Sequence, residues 1–142
     1  MRHHELPHRF VEDMPEELEA GVLYVSMRYA TAVHLCACGC GREVVTPLSP
    51  AQWKMTFDGE TVSLSPSIGS WGLPCRSHYF ITKGETVEAL PWSDDQVRYG
   101  EAKDRRRRTE HYASGVEAPE TVVDGRKRSW LGRLAEAFGR GR

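Results

Sequence analysis

Along the first ninety residues, short apolar runs and stretches in which apolar and polar positions alternate with a period of two mark a succession of strands. VLYVSM and TAVHL are apolar runs rich in β-formers and predict two strands or one bent strand; EVVTPL predicts another, closed by Pro47. WKMTFDGETVSLSP predicts a hairpin, with Trp53, Met55 and Phe57 alternating before Asp58-Gly59 and Val62 and Leu64 after it. SHYFITKGETVEAL repeats the design with Lys83-Gly84 at the turn. Upstream, FVEDMPEELEAG predicts a short strand, one helical turn over Pro15 to Glu19 and a stop at Gly21. About seven or eight short strands at this spacing predict a mainly β fold, a small sandwich or barrel.

The pattern changes beyond Trp92. Ser93 to Gly125 has few large apolar residues and contains Arg105 to Arg108, which suits a solvated linker or an irregular helix. SWLGRLAEAFGRGR returns to helical periodicity, with Trp130, Leu131, Leu134, Ala135 and Phe138 on one face, Ser129 as a cap and Gly139 as a stop. The expected organisation is therefore a β domain over residues 1–97, then a basic linker and an amphipathic helix over 98–142. Charge follows the same division. Residues 1–99 carry 8 Lys/Arg against 13 Asp/Glu, and residues 100–142 carry 11 against 7. The basic segment suits nucleic acid, an anionic membrane surface or an acidic partner, against the plainer reading of a solvated linker; Trp130, Leu134 and Phe138 would be the anchors of a partner-docking helix. The start, MRHHELPHRF, lacks the apolar core of a secretory signal, and no window approaches the ~18 apolar residues of a membrane span, so a cytoplasmic protein is expected.

In a reducing compartment, clustered cysteines more often bind metal or react than form disulfides. Cys36, Cys38 and Cys40 alternate with Ala37 and Gly39, and the fourth cysteine is Cys75. Neighbours at i and i+2 are poorly placed to bridge each other, whereas four thiolates satisfy a tetrahedral structural zinc ion. Gly39 and Gly41 would permit the tight backbone that turns successive thiols towards one ion. Two rivals share this chemistry: His78, which with Cys75 has the spacing of half a zinc site in CRSH, or His34 could replace a thiol, and a site with three protein ligands would leave a position for a catalytic water. In the plainest alternative the thiols are small buried hydrophobes.

If four cysteines satisfy the metal, His78 is released for other work. An antiparallel return through SLSPSIGSWG would bring Ser67, on a turn bracketed by Pro66 and Gly69, opposite His78. A serine beside an imidazole is what an activated nucleophile requires, and amides near Ile68 and Gly69 could hold an oxyanion. Ser77 would point to the face opposite His78 and is the poorer nucleophile. Glu43, Asp58 and Glu85 are candidates for the group that orients the imidazole, and spacing singles out none of them. Against this stands a purely structural role, Ser67 shaping a turn and His78 hydrogen-bonded in the core or bound to metal.

Taken in order, HLCACGCG, VVTPLSP with Trp53, DGETVSLSPSIGSW and PCRSHYFITKGETV resemble a bacterial family known as a domain of unknown function, over about residues 8 to 95. That family is commonly encoded beside an E1-like adenylyltransferase, an E2-like protein and ubiquitin-like proteins, in gene clusters linked to defence against phage. The resemblance implies a serine-type peptidase that processes or removes a ubiquitin-like modifier, with Ser67 and His78 as the reactive pair and the four cysteines as a zinc staple. Two other functions fit the residues: a non-catalytic zinc module that recruits the modifier or its E1/E2-like partners, and a zinc-dependent hydrolase. The tail from about residue 100 lies outside the resemblance.

Overall fold

The computed structural model describes residues 1–113. Eight strands form two four-stranded sheets: β1 (His8–Phe10), β2 (Leu23–Ser26), β3 (Thr31–Leu35) and β4 (Glu43–Pro47) in the first, and β5 (Lys54–Phe57), β6 (Val62–Gly69), β7 (His78–Thr82) and β8 (Glu85–Glu88) in the second. In each sheet the spatial order follows the chain. All neighbours are antiparallel except β1 and β2. A helix, α1 (Asp94–Ala113), follows.

The sheets bury one core between them. Leu23, Val25, Ala32 and Val44 from the first meet Val62, Leu64, Ile68, Tyr79 and Ile81 from the second. Tyr29 and Val33 lie in a smaller cluster, covered by Met14 and Leu18 from the segment between β1 and β2. This second layer explains why VLYVSM and TAVHL read as continuous apolar runs: β2 is buried along its whole length and β3 along all but Leu35. The helical turn expected over Pro15 to Glu19 does not form. Five residues cannot offset the cost of a helical nucleus, and packing Met14 and Leu18 over the sheet selects a bent chain instead.

Both hairpins form, the second at Lys83-Gly84 as expected and the first with its turn centred one residue beyond Asp58-Gly59. Lys83 and Gly84 take φ of 49° and 74°, the pair of positive values that suits a two-residue turn to the twist of its strands. In the other hairpin the central pair is Gly59-Glu60, and Asp58 accepts hydrogen bonds from the Glu60 amide at 2.9 Å, the Thr61 amide at 2.6 Å and Thr61 Oγ1 at 2.6 Å. These donors, led by the Thr61 hydroxyl, hold the Asp58 carboxyl down to about 2. With the folded value below the unfolded one, the carboxylate's support of the turn is present above the usual range near 4 and is lost as pH falls through 2. A carbon-detected NMR titration of Asp58 should have its midpoint near 2; a midpoint near 4 would show that the donors are not engaged.

The N-terminal segment covers the outer edge of the second sheet. Leu6 N–H donates to the Gly84 carbonyl, Thr86 N–H donates to the His4 carbonyl, and Glu5 bridges Glu85. The opposite edge, β5, has no strand beyond it among the described residues.

Beyond Trp92 the structure has a regular twenty-residue helix in place of a linker or irregular helix. Its start carries a reciprocal cap: Gln96 N–H donates to Ser93 Oγ and Ser93 N–H donates to Gln96 Oε1. Asp94 and Asp95 in the first turn complement the helix dipole. Hydrophobic periodicity could not reveal this helix, because Val97 is its one buried residue. The expected helix in SWLGRLAEAFGRGR, with Trp130, Leu134 and Phe138, lies outside the described residues. No helix among the described residues is long and apolar enough to cross a membrane.

Candidate active site and metal centre

The four cysteines come together from two loops on different sheets. Cys36, Cys38 and Cys40 occupy the β3–β4 loop, closed by the Cys36 N–H donating to the Arg42 carbonyl and the Gly39 N–H donating to the Cys36 carbonyl. Gly39 and Gly41 take φ of 92° and 79°, the left-handed region that glycine reaches without strain, as their spacing among the thiols suggested. A β-carbon on Gly39 would also lie 2.5 Å from Arg2 Cδ, so the exposed Arg2 side chain would have to shift for a larger residue. Cys75 sits in the β6–β7 loop, which Ser70 N–H closes by donating to the Ser77 carbonyl.

All four Sγ atoms lie within 4.8 Å of one another. Cys36 to Cys38 is 3.5 Å, Cys36 to Cys75 is 3.8 Å and Cys40 to Cys75 is 3.9 Å. A tetrahedron with metal–sulfur bonds of about 2.3 Å has edges of about 3.8 Å, so the thiols fit a single ion of zinc's size. Burial pushes the Cys36 thiol up to about 12, while for Cys38 burial is outweighed by hydrogen bonds from the Ser77 hydroxyl, the Cys40 amide and neighbouring thiols, which carry it down to about 6. The Ser77 hydroxyl therefore lies on the side of the sulfurs.

Neither rival histidine joins this set in the structure. His34 is fully buried, and burial lowers it to about 4, so it is neutral at physiological pH. Its Nε2 lies 2.6 Å from Tyr79 Oη, which also accepts from the Ala37 amide at 3.4 Å; Nδ1 has no partner. This buried pair ties β7 to the cysteine loop. Tyr79→Phe removes the partner of a histidine that already has one unsatisfied nitrogen, and should cost about 1–3 kcal/mol. A thermal melt should show a midpoint lowered by several degrees, and an unchanged midpoint would remove the pair from the account of stability.

His78 uses both ring nitrogens elsewhere. Its Nε2 is 2.8 Å from Ser67 Oγ and its Nδ1 is 2.7 Å from the Leu90 carbonyl oxygen. A carbonyl only accepts, so Nδ1 carries a proton and donates it to Leu90; in the neutral ring Nε2 is then the lone pair that receives the Ser67 O–H. None of Glu43, Asp58 and Glu85 supplies that partner: the group that orients the imidazole is a backbone carbonyl. Sequence reasoning missed it because a carbonyl has no residue signature.

Ser67 does not sit on a turn. Strand β6 continues through Pro66 to Gly69, and its register with β7 shifts between Leu64 and Ile68. Leu64 pairs with Ile81 and Ile68 with Tyr79, so four steps on β6 oppose two on β7. Ser65 to Ser67, three residues opposite Phe80 alone, bulge from the ladder, and Ile68 and Gly69 rejoin it opposite Tyr79 and His78. Ser67 precedes Gly69 by two residues, so strand alternation puts it on the same face as His78, the partner of Gly69. A proline inside the motif concealed this, since proline ordinarily ends a strand.

The pair opens into a cavity of about 430 Å³, walled by Trp53, Trp71 and Trp92 and, from α1, by residues including Gly100 and Asp104. Trp71 and Trp92 stack at 5.5 Å, and each has its centroid about 5 Å from that of His78. His78 is 9% exposed and lines the cavity, so the ring is held in a largely dry setting.

The chain matches no curated protein and no solved structure. A family model described as the bacterial ubiquitination-like system serine protease, BubE, matches residues 10–89, more than half of the chain. That span contains the four cysteines, the β6 bulge with Ser67 and the strand that carries His78. By the extent of that match, the chain belongs to the BubE family of bacterial ubiquitination-like system serine proteases.

Proposed function

We propose that this protein is a serine-type peptidase that processes or removes a ubiquitin-like modifier, with Ser67 as nucleophile and His78 as general base. The observation that carries the reading is the Ser67 Oγ to His78 Nε2 separation of 2.8 Å, with Nδ1 held by the Leu90 carbonyl. In this reading Nε2 takes the hydroxyl proton as Oγ bonds to the scissile carbonyl carbon, and returns it to the leaving amine as the C–N bond breaks. Water then enters, gives a proton to Nε2 and hydrolyses the ester, which restores Ser67.

The four cysteines hold a structural zinc ion in this reading, which supplies rigidity rather than chemistry. It joins the β3–β4 loop to the β6–β7 loop, and the strand that follows the second loop opens with His78. The open edge of β5, next to the strand that carries Ser67, would receive the extended tail of the modifier as an added strand. A cytoplasmic place beside E1/E2-like partners, in defence against phage, belongs to the same reading. The test is cleavage of a modifier precursor by the full chain and by Ser67→Ala and His78→Ala. Both variants should retain their metal and lose cleavage. Unchanged cleavage in both, with metal content intact, would remove the mechanism and leave a recruiting module as the better reading.

A further inference from the structure

The carbonyl that orients His78 belongs to a residue with little to hold it. Leu90 is 85% exposed and lies in neither a strand nor a helix. Its segment is fixed on one side, where Ala89 N–H donates to the His78 carbonyl at 2.9 Å. On the other side the fixed point is Trp92. That ring stacks on Trp71 at an interplanar angle of 16° and meets His78 edge-on at 5.1 Å. Behind it stands Gly100 of α1, where a β-carbon would lie 2.7 Å from Trp92 Cζ3. A glycine inside a helix costs about 1 kcal/mol relative to alanine, and here the space it leaves is filled by the indole. The helix is tied in turn to the β6–β7 loop, because Arg76 pairs with Asp94 at 3.0 Å and lies over the Trp71 ring. Leu90, Trp92 and Gly100 all lie beyond the residues that match the family.

We infer that Trp92 is a positioning residue for His78: wedged between Trp71 and Gly100, it keeps the Leu90 carbonyl on Nδ1, and so makes α1 a working part of the site. The inference rests on the reading of Ser67 and His78 as the reactive pair. Without the wedge, the exposed Leu90 segment moves away and Nδ1 loses its acceptor. The tautomer with the proton on Nε2 then competes. That tautomer presents Ser67 with a proton in place of a lone pair, so the fraction of enzyme able to accept the hydroxyl proton falls.

The test uses the full chain with 15N-labelled histidine and reads the His78 tautomer by NMR, which needs no substrate. The parent protein should hold its proton on Nδ1, as a slowly exchanging downfield resonance. Trp92→Ala should lose that resonance and populate the Nε2–H form, and Trp92→Phe should restore it. In precursor cleavage, kcat should fall about tenfold in Trp92→Ala, a part of the ~10⁴-fold cost of a wholly wrong tautomer, and recover in Trp92→Phe. Gly100→Ala is the second variant. Alanine favours the helix, so its fold is kept, yet its β-carbon displaces the indole; it should show the same tautomer change and a lower kcat at similar KM. An unchanged Nδ1–H resonance in Trp92→Ala, or in Gly100→Ala where Trp92→Ala does not fold, overturns the proposal. Full cleavage by Ser67→Ala would instead sink the peptidase reading and leave the tautomer result standing.

Discussion

Ser67→Ala is expected to lower kcat for precursor cleavage about 1000-fold or more, with KM nearly unchanged, because it removes the atom that forms the acyl bond while leaving the cavity walls in place. His78→Ala should fall to a similar level. The double variant should be hardly worse than either single one: Oγ and Nε2, 2.8 Å apart, act on one proton, and groups that act as a unit are not additive. This non-additivity separates an acting pair from two residues that each support the fold. Independent structural losses would multiply, since their costs would add as free energies. Thermal midpoints of the three variants complete the comparison, because Ser67 and His78 lie on the face of the second sheet turned away from the shared core.

Removal of the metal should have the largest effect on stability. The cysteines join loops of two sheets whose common core is small, and structural zinc sites contribute apparent binding energies of about 10–16 kcal/mol in zinc-finger peptides. A domain's whole stability is about 5–15 kcal/mol, so chelation should coincide with unfolding rather than leave an inactive but folded protein. Purified protein should contain one zinc per chain. Cys75→Ser should lose that metal and melt at a much lower temperature, and both effects should be seen by circular dichroism without any activity assay. A chelated protein that stays folded and loses turnover would point instead to a metal that takes part in the reaction.

Much of this could be read from the chain because the decisive residues are chemically conspicuous. Lys83-Gly84 and the glycine after Asp58 specify their hairpins through backbone angles that few residues adopt. The four cysteines announce a site because neighbours at i and i+2 are poorly placed to bridge each other, whereas clustered thiolates are good metal ligands. What stayed hidden was carried by groups without a signature. The bulge that contains Ser67 runs through Pro66, where pattern reading stops a strand, and the partner of His78 Nδ1 is a main-chain oxygen. Helix α1 was concealed by its polar surface. Its signal was nevertheless present as Ser93 and Gln96, three residues apart, which cap each other. Tertiary packing overrode the helical turn at Pro15, since covering Tyr29 and Val33 matters more than a five-residue propensity.

The central claim is that a covalent bond forms at Ser67 Oγ with His78 as its activator, and the most direct measurement is to trap that bond. A fluorophosphonate, which loses fluoride as it phosphonylates an activated serine, should add once to the folded protein, and peptide mass mapping should place the adduct on Ser67. His78→Ala should react far more slowly and Ser67→Ala not at all. An adduct on another residue, or continued precursor cleavage by a chain whose Ser67 is unmodified in the presence of saturating probe, would contradict the account.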